Sequence, residues 1–310
     1  MNDSKIVIFD AHALIHRAYH ALPPLTTSEG IPINAVYGFV KIVLNILETM
    51  SPNYVAVAFD TRTPTFRHVD YSEYKANRPP SPDDLKIQFP IVKQIVEDLG
   101  LSSFEVEGYE ADDVIGALVN KFEKSVSNSE IFIVTGDFDA TQLVNDHIKI
   151  FTLGKRIENT SIWSKKDLME KFQLSYPKQI IDYKALRGDP SDNIPGVKGI
   201  GEKTASILLK NFKNLETIYE NIDKVESKYR QKLVDDRTNA FLSKKLATII
   251  SDVPLSFKVD ECKYHSFDRE KIVPVLEKYE FRSLIKKFTR KDISKTVQKK
   301  DENEQLSFIE

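Results

Sequence analysis

Tyr109-Glu110-Ala111-Asp112-Asp113-Val114-Ile115 places three carboxylates within four positions, at the start of an apolar helical run. Acids this close either share protons or hold a cation, because mutual repulsion drives one pKa upward. Hard divalent cations suit such a cluster, since they prefer carboxylate oxygens. Glu110 and Asp113 stand at i, i+3 and can face one side of a helix, while Asp112 points about a quarter-turn away. Taken alone, the same acids would equally suit the positive end of a helix dipole. The other aspartates tip the balance towards a divalent-metal site.

The elements that must position them repeat a pattern. Lys5 to Asp10, Tyr54 to Asp60 and Glu130 to Asp137 are apolar runs that each end on an aspartate, as buried parallel strands would. Between them, Ala35 to Met50, Ile87 to Leu99 and Ala111 to Phe122 carry apolar residues at three-and-four spacing, which predicts helices. Strands alternating with helices predict a parallel sheet with right-handed crossovers, and ligands of such sheets bind beyond the carboxyl ends of the strands. Asp10, Asp60 and Asp137 belong at that edge, and Asp139 falls two residues past Asp137, on the same side of an extended segment. A further strand is expected over His147 to Thr152, then a helix capped by Ser164 with Asp167 three residues on. Trp163, the single tryptophan, is assigned to the core or a helix staple.

Thr61 to Asp84 has a different character, interleaving Phe66, Arg67, His68, Tyr71, Tyr74, Lys75 and Arg78 before a proline-rich end. Its weak apolar periodicity predicts a segment that does not pack tightly. Bases among aromatics suit single-stranded nucleic acid, where cations meet phosphate and rings stack on bases. Further on, Asp189 and Asp192 add two acids in a turn, and Gly196, Gly199 and Gly201 form a hairpin feeding a helix from about Glu202 to Asn211. Glycine lets backbone approach a ligand, and a helix N-terminus offers N–H groups to an anion. The spacing is not that of a nucleotide-binding Walker loop, so a duplex phosphate is the expected ligand. Helices follow over Arg237 to Ile250 and Arg269 to Phe288, then a basic run from Lys286 to Lys300.

Composition bounds the rest. The 310 residues, 41% of them hydrophobic, can fill one large core or two ordinary ones. A single cysteine excludes an intramolecular disulfide, and without a signal-peptide core or membrane run a reducing cytoplasm is the expected location. The net charge of -2 does not itself advertise nucleic-acid binding, so any basic surface must be local.

From about Lys5 to Phe288 the chain resembles the 5′-nuclease domain at the N-terminus of bacterial DNA polymerase I, within the flap endonuclease family. The motifs that carry the resemblance are Phe9-Asp10 with His12 and Arg17, Ala35-Val36-Tyr37-Gly38-Phe39, Phe59-Asp60, Phe66-Arg67, Tyr74-Lys75 with Arg78, Gly108 to Asp113, and Gly188-Asp189 through Thr204. The resemblance implies an α/β fold with a central, parallel-rich twisted sheet flanked by helices, a PIN-like core over residues 1–175 with a helical arch at about 61–84. It implies a helical DNA-binding part over 176–290, with a helix-hairpin-helix or helix-3-turn-helix element at about 188–211, and a flexible tail over 291–310. By the same likeness, Asp10, Asp60, Glu110, Asp112 and Asp113 hold the tighter of two Mg²⁺ or Mn²⁺ ions, and Asp137, Asp139, Asp189 and Asp192 the outer one. Lys75 and Arg78 grip the scissile phosphate. Arg17, Tyr37, Arg67, Tyr74, Gly196, Lys198, Gly199, Gly201, Lys203 and Thr204 contact DNA, with a K⁺ at the hairpin. The implied activity is 5′-3′ exonuclease and flap endonuclease cleavage of branched or nicked DNA, in primer removal and repair, by a monomer at the bacterial nucleoid. One departure stands out: Phe138 occupies a position between two aspartates where the family more often has lysine or arginine.

Other readings compete. A haloacid dehalogenase-type phosphohydrolase needs a second aspartate where this chain has His12, and PIN-type endoribonucleases are shorter and lack the glycine hairpin. A DNA-structure-binding module with lost chemistry remains the alternative, opposed by the full acid set. Gln305-Leu306-Ser307-Phe308-Ile309 resembles the short peptides that dock bacterial replication proteins on the sliding clamp.

Overall fold

The β-branched run Ile6-Val7-Ile8 makes the centre of a six-stranded sheet. The computed structural model describes residues 4–153, 160–266 and 269–286. Its strands are β1 (Ser4–Asp10), β2 (Tyr54–Ala58), β3 (Ser102–Phe104), β4 (Ser129–Val134), β5 (Ile148–Leu153) and β6 (Thr160–Trp163), in the order β3-β2-β1-β4-β5-β6. All neighbours are parallel except β6, which runs antiparallel to β5. The helices are α1 (Ala11–Ala21), α2 (Asn34–Met50), α3 (Phe66–Asp70), α4 (Asp83–Lys86), α5 (Gln88–Asp98), α6 (Ala111–Ser125), α7 (Lys165–Phe172), α8 (Gln179–Arg187), α9 (Glu202–Phe212), α10 (Leu215–Glu220), α11 (Ser227–Asp235), α12 (Arg237–Ala247) and α13 (Arg269–Lys278).

Successive strand residues point to opposite faces, so each strand feeds two cores. Val7, Phe9, Val55 and Val57 pack with α1, α2, α5 and α13. Ile6, Ile8, Ala56 and Ala58 pack with α6 on the other side. A third core, around Ile180, Leu186, Leu208, Ile218 and Leu233, joins α8 to α12. No helix among the described residues is long and apolar enough to cross a membrane.

Where the chain departs from its sequence pattern, polar groups are responsible. The helix expected to reach Ile250 stops at Ala247, because the next amides are taken by side chains: Ile249 N donates to Gln142 Oε1 (2.9 Å) and Ile250 N to Asp113 Oδ1 (2.8 Å). The helix expected over 269–288 ends at Lys278, ahead of Glu280 in the left-handed region at φ 57°. Strands β3 and β6 have no apolar run to announce them; β3 is three residues long and β6 is a largely exposed edge.

The segment 61–84 was expected not to pack tightly, and here the structure differs. Arg67 is 3% and Tyr74 4% exposed, and Tyr74 joins Ile194, Leu246 and Ala247 in a small core of its own. The segment lies down over the carboxyl edge of the sheet. The tail 291–310, with the clamp-like Gln305 to Ile309, lies outside the described residues.

Candidate active site

The strand order reverses between β1 and β4: from β1 the chain builds outward to β2 and β3, then crosses back to β4. Loops diverge at such a point and leave a crevice beyond the strand ends. Asp10, the last residue of β1, and Asp137, three past β4, both stand at it. Thr135 joins them. Its hydroxyl donates to Asp10 Oδ2 (2.7 Å) and accepts the amide of Asp137 (2.9 Å). Asp10 Oδ1 accepts Ala13 N (3.0 Å) and so caps α1. Asp137 Oδ1 in turn accepts the amide of Asp139 (2.9 Å), which fixes the turn.

Helix α6 delivers the next acids. Glu110 caps it, and Asp60, just past β2, accepts Ala111 N with Oδ1 (2.7 Å), tying the helix start to the sheet edge. His12 Nδ1 receives the amide of Asp60 (3.2 Å) and lies 3.3 Å from Asp60 Oδ2; burial lowers the ring's pKa, against the pull of the Asp60 carboxylate. Asp112 has a buried Oδ1 without a hydrogen-bond partner. Burial, then repulsion from Asp137 and Asp10, holds its carboxyl well above the usual range. Burial likewise pushes Asp10 up to about 7. Asp10, His12, Asp60, Lys75, Arg78, Glu110, Asp112 and Asp137 line one cleft of about 400 Å³.

A second cleft, of about 650 Å³, continues from it past Asp137, Asp139 and Asp189, and is lined by Arg17, Arg78, Lys171, Lys184 and Arg187. Its acids carry protein cations. Lys184 Nζ bridges Asp139 Oδ1 and Asp189 Oδ2, the latter at 2.7 Å. Asp189 also accepts Ser191 N (3.0 Å) and Oγ (2.6 Å), and although burial acts the other way, Lys184 holds its carboxyl below the usual range. Asp192 is paired with Arg78 and lies 3.9 Å from Lys75. Lys75 reaches Glu110 Oε1 (2.9 Å) from a left-handed backbone, φ 56°, braced by its own amide on Asp192 O (2.9 Å). Burial would lower its pKa, but Glu110 and Asp192 keep the ammonium above its ordinary value.

No three His, Cys, Asp or Glu side chains among the described residues converge tightly enough to enclose an ion. The donor set nevertheless fits a hard cation. Asp112 offers a buried, unpartnered carboxylate oxygen, and Asp10 and Asp112 are destabilised in charged form by what an ion would relieve. Spacing too wide for an all-protein cage is compatible with a divalent ion that keeps several of its waters.

Three residues expected to touch metal or DNA serve the fold instead. Asp113 is fully buried and lines neither cleft, held in a two-pronged ion pair with Arg67: Nη1 to Oδ2 at 2.7 Å and Nη2 to Oδ1 at 2.9 Å. Arg67 therefore has no surface to give to DNA. Its Nε donates to Leu246 O and its Nη2 also to Thr248 O, both at 2.9 Å, while Nη1 lies 3.6 Å from Glu110 Oε2. The buried Tyr74 hydroxyl lies 3.1 Å from Glu110 Oε2 and 3.2 Å from Asp192 Oδ2, so it spaces acids apart. A carboxylate capping its own helix had the same sequence signature as a ligand.

The hairpin also divides. Gly196 sits at φ 63° with its amide on Ser243 Oγ (2.9 Å), and a Cβ there would fall 2.2 Å from Gly188 N. Its role is close backbone packing, not contact with a ligand. Lys198, Gly199, Gly201 and Lys203 are exposed and Thr204 is half-buried around the start of α9. Asp236 accepts Lys198 N (2.8 Å) and Lys232 Nζ donates to Gly199 O (3.1 Å). Tyr37 lies on α2, its hydroxyl 2.9 Å from Ser283 Oγ and its ring edge-on to Phe281, which places it in the packing of the C-terminal segment. Arg17 lines the second cleft.

Sequence reasoning missed Thr135 and Lys184. Thr135 directly precedes Gly136-Asp137, and Lys184 is five residues before Asp189 on the helix that feeds the acid turn; both positions were readable as spacing. Lys171 was missed as well. Its ammonium lies 3.5 Å from the Phe138 ring centroid, so a cation stands over the position where the sequence has no basic residue.

The raised acids set a pH dependence. Between the ordinary value of 3.8 and about 7, Asp10 keeps in the folded state a proton that the unfolded chain has lost. Its contribution therefore falls as pH rises through that window. A divalent ion competes with the proton, so the melting-temperature gain on adding Mg²⁺ over EDTA is expected to be larger at about pH 7.5 than at about pH 5.5. Equal gains at both values would contradict the assignment.

Two family models match the chain: "5′-3′ exonuclease, N-terminal resolvase-like domain" over residues 5–173 and "5′-3′ exonuclease, C-terminal SAM fold" over 175–270. It is 46% identical over 296 residues to DNA polymerase I of Caldicellulosiruptor bescii, covering 95% of this chain and 34% of that protein. With DNA polymerase I of Bacillus subtilis the identity is 40%, over 91% of this chain and 32% of that one. The chain thus spans about a third of the length of the curated relatives it matches. Among solved structures, the T5 D15 protein co-crystallized with metal ions superposes with a TM-score of 0.67 at 23% identity, over 80% of this chain and 90% of that one. The catalytic core of Rad2 in complex with DNA substrate gives 0.57 at 17%, over 90% and 88%. At these identities, the two structures speak for the fold.

Proposed function

Because the chain belongs to the 5′-3′ exonuclease family and is a nuclease, we propose that it hydrolyses DNA phosphodiesters at the junction of a duplex with a 5′ single strand, as a 5′-3′ exonuclease and flap endonuclease. The observation that carries this reading is the row of acids at the sheet's switch point, with Asp112 Oδ1 buried and unpartnered and cationic side chains arrayed beside it. Asp10, Asp60, Glu110 and Asp112 are the residues for an inner Mg²⁺ or Mn²⁺, and Asp139, Asp189 and Asp192 for an outer one; Asp137, expected with the outer group, lines the inner cleft beside Asp10 and Asp112 and is assigned to the inner ion instead. Bound there, such ions supply an activated water and neutralise charge developing on the phosphate and the leaving oxygen.

The chain's own side chains account for the remainder. Lys75 and Arg78 project from the segment over the cleft and hold a phosphate electrostatically. Both are held in place by Glu110 and Asp192 until a ligand draws them off. Arg17, Lys171 and Arg187 extend the positive lining along the second cleft. A cavity of about 1120 Å³ opens beside Asp60 over Phe59 and Phe89, which gives a displaced single strand a route past the site. Lys198, Gly199, Gly201, Lys203 and Thr204 meet a duplex phosphate at the α9 N-terminus, with K⁺ among the exposed hairpin backbone groups. Recognition of this kind reads backbone shape and not base edges.

We take the protein to act as a monomer on branched or nicked DNA at the bacterial nucleoid, in primer removal and repair. The segment Gln305 to Ile309 is a candidate tether to the sliding clamp. The substrate claim is tested with one DNA sequence built as a 5′-flap duplex, a blunt duplex and a single strand, each incubated with Mg²⁺. Cutting at the flap base, with slower release from the other two, is expected. Equal rates on all three would overturn the structural specificity.

A further inference from the structure

The two acid groups differ in what neutralises them. Asp112 in the inner cleft has no hydrogen-bonding partner for Oδ1. Asp139 and Asp189 share one: the ammonium of Lys184, with the three side chains only 12% or 13% exposed. The lysine bridges two carboxylates from different elements, one following β4 and one following α8, which is the work a divalent ion would do.

We propose that Lys184 is the resident cation of the outer carboxylates, and that a divalent ion binds Asp139 and Asp189 by displacing its ammonium into the adjoining cleft. This rests on the nuclease reading above. Exchange is sterically open, because Lys184 itself lines the 650 Å³ cleft, and a lysine stem has four rotatable bonds. The acceptor that the cleft suits is a phosphate, since Arg17, Arg78 and Arg187 also line it. Lys184 then leaves a carboxylate pair for a DNA phosphate as the ion arrives. Outer-ion binding and DNA binding favour one another, and by linkage the coupling is reciprocal. Without DNA, the ion must expel a cation that has nowhere better to go, so the outer site is the weaker one.

The test is Mn²⁺ binding to the full chain without DNA, followed by the paramagnetic signal of the free ion. The wild type is expected to show a tight and a weak class, and Lys184→Met to tighten the weak class about tenfold or more while leaving the tight class unchanged. Weak binding that is unchanged or weaker in Lys184→Met overturns the proposal. Since the variant leaves two carboxylates facing each other, a second readout uses the wild type alone. Amine-reactive labelling of Lys184, read by mass spectrometry, is expected to rise across the Mn²⁺ range of the weak class; labelling that stays flat or falls overturns the proposal. A wild-type chain that binds no Mn²⁺ overturns the metal-site reading along with it.

Discussion

Arg67→Ala and Asp113→Ala are each expected to destabilise the chain by about 3 to 5 kcal/mol, because each strands the other charge in the interior. The pair is 3% and 0% exposed and holds three elements together: α3 through Arg67, the start of α6 through Asp113, and the end of α12 with the chain that follows it through Leu246 O, Thr248 O and Ile250 N. Asp113 also accepts Glu110 N (3.1 Å), closing the α6 capping box. The double variant leaves these backbone groups unpaired but no charge, so its cost is expected to be close to that of one single variant and well below the sum. Urea unfolding of the four chains measures the cycle. Additive losses, or single losses below about 1 kcal/mol, would mean that the pair is not a joint of the fold.

Asp112→Asn is expected to do the reverse to stability. The wild-type carboxyl is penalised by burial and by Asp137 and Asp10, and its Oδ1 has no donor. An amide removes the like charge, so in EDTA the variant should melt higher than the wild type, a gain on the order of 1 kcal/mol, as when a strained functional group is relaxed. With Mg²⁺ the order should close or invert. The wild type gains binding free energy that grows with ion concentration, and the variant has lost a ligand. Calorimetric melts in EDTA and in Mg²⁺ decide it. A variant less stable than wild type in EDTA would show that Asp112 is a structural acid after all.

Much of this architecture was legible because it rests on period and position. Three apolar runs ending on Asp10, Asp60 and Asp137 indicated a parallel sheet and the edge where the acids gather. The acids themselves stood at readable offsets, Asp112 beside Glu110 and Asp139 beside Asp137. What spacing could not separate was an acid that faces the cleft from one that turns inward. Asp113 is i+3 from Glu110, a spacing that serves a shared ligand face and a capping box equally well. Its inward turn is decided by Arg67, 46 residues away, and that contact is tertiary. The close fit of segment 61–84 was hidden for the same reason. Tyr74 and Arg67 are buried by polar partners and by Leu246 and Ala247 far along the chain, which leave no apolar period in the segment itself. Lys184 was overlooked as one base on a helix of mixed polarity, although its place before the acid turn was visible.

Cleavage of a 5′-flap DNA labelled at both ends, by the wild-type chain and by Asp112→Asn, with Mg²⁺ or with EDTA, tests the central claim most directly. The account predicts cuts at the flap base that require Mg²⁺ and fall by about a hundredfold or more in the variant. Flap binding without cutting in any divalent metal, or cutting that is indifferent to Asp112, would contradict it, and the first of these would leave a DNA-structure-binding module in its place.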